Sequence, residues 1–245
     1  MANVAPGSYT LAAHSMKGGR ETLPLSGYQT LEVGQHDVEN VTVTLVPGVT
    51  IKGKVTVEGS GKPRTEPMRV ALSPVLPPIP GAFANPQNDG SFAVANVAPG
   101  RYRVNVMGAG DSAFVKPVKL GGLEIGNREF EIAGGAAPEM AILLSTEAGQ
   151  VTGRVKGPAG PVPEATVVIA GGNGEFRNAT TAEDGSFAIG GLAPGEYKFY
   201  AWEDVETGAW QEREFLNRYA NRALTITAGA GKATNLLAGV IPAGQ

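Results

Sequence analysis

The side chains of this sequence that can do chemistry are few and scattered. The two histidines, His14 and His36, stand without a second histidine or a glutamate at the spacing that puts two ligands on one metal, so loop or surface roles are expected for both. Gly110-Asp-Ser-Ala-Phe114 comes nearest to a nucleophile elbow. It lacks the second glycine and has no histidine in its own segment to activate Ser112, which reads as a polar residue at the start of a strand. Gly108-Ala-Gly110 and Gly171-Gly-Asn-Gly174 are too short to cradle a phosphate and lead into no helix, so they read as turns. Glu183-Asp184 and Glu203-Asp204 carry the oxygens a hard cation takes, but not the alternating spacing of a dedicated loop, and turn or edge roles are expected. With no cysteine, thiol catalysis and cysteine-bound zinc are excluded. The expectation is therefore a protein that is not an enzyme, with no catalytic residue, no cofactor and no metal.

Aromatic residues offer a different chemistry, that of stacking. Tyr197, Phe199 and Ala201 alternate onto one face of a strand, which leaves Tyr200 and Trp202 on the other. A helix-like stretch over about 211–221 follows, where Phe215 and Tyr219 are four apart and share a helix face. Two readings stay open. The helix can lie over Tyr200 and Trp202 and bury them, or Tyr200, Trp202, Trp210 and Tyr219 can form an open platform for a sugar ring or a partner, since aromatic faces supply a large contact area with a polar tip. A second unusual stretch is Ser73-Pro-Val-Leu-Pro-Pro-Ile-Pro-Gly-Ala-Phe83. Its prolines favour an extended, polyproline-like strap, read as a rigid crossover loop whose Val75, Leu76, Ile79 and Phe83 are candidates to dock on a neighbouring module or another chain.

The elements that must position these residues come from an internal repeat. Met1-Ala-Asn-Val-Ala-Pro-Gly-Ser-Tyr9, Val94-Ala-Asn-Val-Ala-Pro-Gly-Arg-Tyr102 and Ile189-Gly-Gly-Leu-Ala-Pro-Gly-Glu-Tyr197 align without gaps, and Asp89-Gly-Ser-Phe and Asp184-Gly-Ser-Phe precede the last two. Each Asp-Gly pair is expected to open a hairpin, and each Ala-Pro-Gly to make a second turn. Leu31-Glu-Val33, Phe130-Glu-Ile132 and Leu224-Thr-Ile226 continue the register, as do strands at Val41, Val43 and Leu45 and at Met140, Ile142 and Leu144. First strands are expected at Ile51-Lys-Gly-Lys-Val55 and Val151-Thr-Gly-Arg-Val155. This gives three segments: the C-terminal half of a module over 1–47, a whole module over 48–146, and a whole module with the helical insertion over 147–245. Met1 aligns with the strand residues Val94 and Ile189, so it is expected to be internal, with roughly 40 residues of its module lying upstream.

Composition agrees with an all-β chain. There are 35 glycines and 18 prolines to make turns, and aromatic residues are only 7%, so the cores must rest on Val, Ile, Leu and Ala. A net charge of −3 with interspersed signs gives no basic stripe for nucleic acid, and no apolar run approaches a membrane helix.

An early Val/Ile-x-Gly-x-Val strand, then Asp-Gly-Ser-Phe-x-Ile/Val, then Leu/Val-x-Pro-Gly-x-Tyr, resembles the carboxypeptidase regulatory-like domain, a family similar to transthyretin and to the Cna B-type modules of bacterial surface proteins. The resemblance implies tandem antiparallel seven-stranded β-sandwiches in an extracytoplasmic bacterial protein. Some Cna B-type modules carry a lysine-to-Asn/Asp crosslink. Here Lys52 and Lys54 face a last strand, Met140-Ala-Ile-Leu-Leu-Ser145, without Asn or Asp, and Asn235 has Val151, Gly153 and Val155 opposite, so none is expected. The expected function is a structural, adhesive or assembly segment whose partners are neighbouring modules or other copies of the chain. The alternative is a carbohydrate- or ligand-binding module attached to an outer-membrane transporter or a secreted enzyme.

Overall fold

A computed structural model describes residues 4–15, 25–59, 67–76, 79–172 and 175–243. The first repeat forms β1 (Gly7–His14), β2 (Leu25–Val33) and the two-residue β3 (Val46–Pro47) in one sheet of order β1-β2-β3. The second forms β4 (Val49–Glu58), β5 (Arg69–Pro74), β6 (Ala82–Ala84), β7 (Ser91–Val97) and β8 (Gly100–Met107). Three two-residue strands follow, β9 (Phe114–Val115), β10 (Lys119–Leu120) and β11 (Leu123–Glu124), then β12 (Glu129–Ile132) and β13 (Met140–Ser145). The third comprises β14 (Gly149–Gly157), β15 (Gly160–Pro161), β16 (Thr166–Gly171), β17 (Phe176–Thr180), β18 (Ser186–Leu192), β19 (Gly195–Trp202), helix α1 (Arg213–Arg218), β20 (Leu224–Ala228) and β21 (Ala233–Gly239).

Each complete repeat is a sandwich of two sheets. In the third, β15-β14-β18 with β21 on β14 makes one sheet, and β17-β16-β19-β20 makes the other. In the second, β4, β7, β13 and the short strands face a sheet of order β12-β8-β5-β6. Alternation fills the space between. Val151, Val155, Val167, Ile169, Phe187, Ile189, Leu192, Tyr197, Phe199 and Ile226 form the core of the third repeat, all nearly inaccessible to solvent. Ile51, Val55, Val70, Leu72, Phe92, Val94, Tyr102 and Val104 do the same in the second.

Two expectations about connectivity are corrected. Asp-Gly does not open a hairpin: β6 and β7, like β17 and β18, belong to opposite sheets, and the turn carries the chain across the sandwich. The cause is capture by the first strand. The Val55 amide donates to Gly90 O at 2.8 Å and the Val155 amide to Gly185 O at 2.9 Å, so the outgoing strand is laid along β4 or β14 rather than along its predecessor. Both glycines sit at positive φ, and a Cβ would meet Val55 O at 2.1 Å or Val155 O at 2.6 Å. The acidic partner braces the same turn. Asp89 Oδ1 accepts from the Ser91 amide and hydroxyl, and Asp184 Oδ1 from the Ser186 amide, which holds both carboxyls below their usual range.

The second correction concerns the last strand. β21 runs parallel to β14 over seven residue pairs, from Gln150↔Ala233 to Lys156↔Gly239, in an otherwise antiparallel sheet. Between these two strands the chain crosses the sandwich four times, at β15–β16, β17–β18, β18–β19 and β20–β21. In the first repeat, Val41–Leu45 forms no strand, although it matches β13 and β21 in register. Those strands are hydrogen-bonded to β4 and β14, the first strands of their own repeats.

By packing, the chain divides into two compact units. One is Met1–Thr56, Pro67–Gly108 and Pro117–Leu143; the other is Val57–Glu66, Ala109–Lys116 and Leu144–Gln245.

Candidate functional site

The repeat motif itself is occupied by folding. In all three copies the tyrosine that follows Ala-Pro-Gly donates its hydroxyl to the carbonyl four residues earlier, across the turn: Tyr9 to Ala5 O at 2.9 Å, Tyr102 to Ala98 O at 3.0 Å and Tyr197 to Ala193 O at 2.8 Å. The carbonyl at the turn is satisfied, and in the two complete repeats the ring is anchored in the core. Burial pushes the Tyr102 phenol up to about 12. The signal for this bracket in the sequence is the constant Ala-x-x-x-Tyr spacing.

The aromatic set of the third repeat forms a second cluster on the outer face of β16 and β19. Tyr200 and Trp202 stack with centroids 5.1 Å apart, Tyr219 stands edge-on to Trp202 at 5.5 Å, and Phe215 lies 5.8 Å from it. Val168, Ala170, Trp210 and Ile241 complete the cluster, with Leu216 packed against it. Tyr200, Trp202 and Trp210 are 5%, 1% and 7% exposed, and only Tyr219 keeps partial access to solvent. Of the two readings, the structure has the covered one. Burying such rings gains about 4–6 kcal/mol each at roughly 25 cal/mol per Å² before ordering costs, and a single turn-and-a-half of helix is enough to supply the lid. The Trp202 indole N–H has no acceptor among the described residues.

The strap of the second repeat is part strand. β6 pairs with β5, placing Phe83 opposite Ala71. Leu76 and Phe83 are open to solvent at 58% and 59%, and the Arg69 guanidinium lies 4.3 Å over the Phe83 ring. Ile79, expected to be exposed, is half-buried instead, because its side chain lies over Gly100, where a Cβ would meet it at 2.5 Å. Pro77 and Pro78 lie outside the described residues, as do Gly174 and Asn173 of the glycine run.

The remaining candidates fall into local roles. His14 Nδ1 is 3.1 Å from Ser26 Oγ, and the ring stands edge-on to Tyr28. Asp184 pairs with Arg154 at 2.9 Å, and Glu203 accepts from the Ala243 amide. Ser112 is exposed beside Asp111, whose carbonyl accepts from the Gly191 amide at 2.6 Å. Gly190, which replaces the Ala95 of the second repeat, makes room for this approach: a Cβ there would meet Asp111 O at 2.5 Å. No group of three or more potential metal ligands converges among the described residues. None of their helices is long and apolar enough to cross a membrane.

His36 lines a cleft of about 720 Å³ on the first repeat. Tyr9, Leu11, Leu31, Val33, Val38 and Val41 line it as well. The equivalents of Tyr9 in the complete repeats, Tyr102 and Tyr197, are 0% and 8% exposed, whereas Tyr9 is 39% exposed.

Comparison with known proteins adds the following. No curated protein matches the chain. Among solved structures, the chain is similar to a streptococcal ancillary pilin, with 14% identity over 98% of this chain and 75% of that one and a TM-score of 0.32. It is also similar to the minor pilin GBS52 of Streptococcus agalactiae, at 11% identity, 80% and 98% coverage and a TM-score of 0.31. The shaft pilin SpaA of Lactobacillus rhamnosus GG gives 10% identity, 78% and 98% coverage and 0.30. These likenesses are too distant to carry function. Residues 150–236, from the first ladder pair of β14 to the middle of β21, match the family model of the carboxypeptidase regulatory-like domain, to which the third repeat is similar.

Proposed function

We propose that this chain is a non-catalytic, load-bearing segment of an extracytoplasmic bacterial protein, organised as modules at 1–47, 48–146 and 147–245. The observation that carries the reading is the parallel β14–β21 ladder. Parallel first and last strands place the two ends of the third module at opposite ends of the ladder, so tension along the chain shears seven residue pairs together rather than unzipping them singly. The tyrosine brackets, repeated in every copy, support the same reading, because they tie down turns that have no other duty. Burial of Tyr200, Trp202 and Trp210 weighs against the carbohydrate-binding alternative.

Single-molecule stretching of the protein tests this. The third module should give a force peak well above that of a module unzipped from one end, followed by release of about 300 Å of chain, the contour length between Gln150 and Gly239. Extension without a resolvable peak would sink the load-bearing reading.

A further inference from the structure

We propose that β21 is the seam of a homodimer: its free edge pairs, antiparallel and about a two-fold axis at Leu236, with β21 of a second copy of this chain. The inference stands apart from the load-bearing reading and adds a lateral partner to it. Among the described residues β21 is paired on one side only, by β14. Two bonds bracket this ladder, from the Gln150 amide to Lys232 O and from the Val240 amide to Lys156 O, and they fix which residues face β14. Alternate residues of a parallel strand turn both backbone groups to the same neighbour. Thr234, Leu236 and Ala238 therefore face β14, and Ala233, Asn235, Leu237 and Gly239 point their N–H and C=O groups away from it. An edge of this kind is a template for another strand.

The edge is bare because of how the third repeat uses its insertion. In the second repeat the segment between β8 and β12 returns to the equivalent last strand, β13, and covers it with antiparallel strands: β9 sets Val115 opposite Leu144, and β10 sets Lys119 opposite Ala141 and Leu120 opposite Met140. In the third repeat the segment between β19 and β20 builds α1 over the aromatic cluster instead. Residues 240–243 leave the edge as well, since the Ile241 amide donates to Ala201 O at 2.7 Å and carries the chain onto β19. The second repeat thus shows what this edge of the fold takes, an antiparallel strand.

A second copy of β21 meets that specification. Ala233-Thr-Asn-Leu-Leu-Ala-Gly239 has no charge and no proline, the devices that keep exposed edges apart, and its Leu237 is 64% exposed. The other long edge of the same sheet, β18, is blunted: Gly191 sits at positive φ and its amide is taken by Asp111 O. Two β21 strands related by a two-fold axis are antiparallel by symmetry. With Leu236 opposite its own copy, Asn235 falls opposite Leu237 and Ala233 opposite Gly239. Every residue that points its backbone outward then meets one that does the same, and no like charges are opposed. Leu236, half-buried at the margin of the core, gains a second leucine as cover.

One pair of seven-residue strands is a small interface, so the dimer is expected to be weak, with a Kd between about 10 μM and about 1 mM. Sedimentation velocity of the whole protein up to about 1 mM should show a reversible monomer–dimer equilibrium. Hydrogen exchange should show protection of the Asn235 and Leu237 amides that grows with concentration. Leu237→Pro removes an outward N–H and leaves the bonds to β14 in place. The double variant Asn235→Lys, Leu237→Lys sets lysine opposite lysine across the seam, where like charges repel. Each should weaken the dimer by at least about tenfold while tryptophan emission stays that of the parent, and if the proline variant unfolds the lysine variant decides alone. Three outcomes overturn the proposal: a monomer throughout the concentration range, a dimer of undiminished strength in the lysine variant, or protection of the two amides that does not change with concentration, which would put a strand of the same chain on the edge. Stretching reads one molecule and sedimentation reads pairs, so failure of one does not imply failure of the other.

Discussion

Replacing Gly153 by alanine should break the β14–β21 ladder from its middle. A Cβ on Gly153 would lie 2.0 Å from Leu236 O and 3.1 Å from the Phe187 ring. The carbonyl must retreat by about 1 Å to reach even the shortest tolerated separation, and it belongs to the backbone of β21, which is laddered to β14. Overpacking costs about 1–3 kcal/mol. Loss of the two hydrogen bonds around Leu236 adds about 0.5–1.5 kcal/mol each. Alanine returns about 0.4–1 kcal/mol by stiffening the unfolded chain. The net loss is about 2–4 kcal/mol. With a urea slope of about 2 kcal/mol per molar, the midpoint should fall by about 1–2 M. The two tryptophans of the chain, Trp202 and Trp210, are both in the second compact unit, so their emission follows that unit alone. Gly239→Ala is the control, since it lies in the same ladder with nothing within 4 Å of its Cβ, and its midpoint should stay or rise slightly. A Gly153→Ala midpoint within about 0.2 M of the parent, or one matched by Gly239→Ala, would refute the close-approach argument.

Other perturbations test the remaining devices. Tyr102→Phe removes the hydroxyl that Ala98 O accepts and should cost about 0.5–1.5 kcal/mol, measured by circular dichroism during denaturation. Because the folded phenol titrates at about 12 and the unfolded one near 10, the contribution of Tyr102 is complete below pH 10 and is lost as pH rises toward 12; a Tyr102→Phe protein should show a shallower alkaline decline over that window. Trp202→Ala should cost about 3–5 kcal/mol and free α1 from the sheet, seen as faster amide exchange over Arg213–Arg218. In the parent protein, iodide should quench tryptophan emission weakly and a glycan panel should leave it unchanged. Gly190→Ala should displace the Asp111 carbonyl, cost about 1–3 kcal/mol and open Ala109–Lys116 to proteolysis.

What the sequence disclosed was period and chemistry; what it concealed was which strands lie side by side. Alternation placed Tyr197, Phe199 and Ala201 inside and Tyr200 and Trp202 on the opposite face, because side-chain direction along a strand depends on residue count alone. Whether that second face stayed open depended on a helix of six residues finding it, a tertiary event. The Asp-Gly turns were legible as turns, but their use as crossings depends on hydrogen bonds to Val55 and Val155, far away in sequence. The parallel last strand left no local mark. Gly53 and Gly153, in the same slot of both first strands, did carry a readable sign of close backbone approach, since a Cβ at Gly53 would also strike a carbonyl, Met140 O, at 2.3 Å. In the first repeat, Val41–Leu45 carries the same alternation and forms no strand, so pattern alone does not make one.

The position of Ala109–Lys116 has a consequence for how such chains diversify. This stretch is numbered with the second repeat but packs in the second compact unit, where Asp111 meets Gly190 and Gly191. A duplication with breakpoints at the repeat edges would hand down the seat without the segment that fills it. The second repeat has Ala95 and Asn96 in those slots. The third repeat, moved without Ala109–Lys116, would carry the Gly190–Gly191 seat with nothing to fill it.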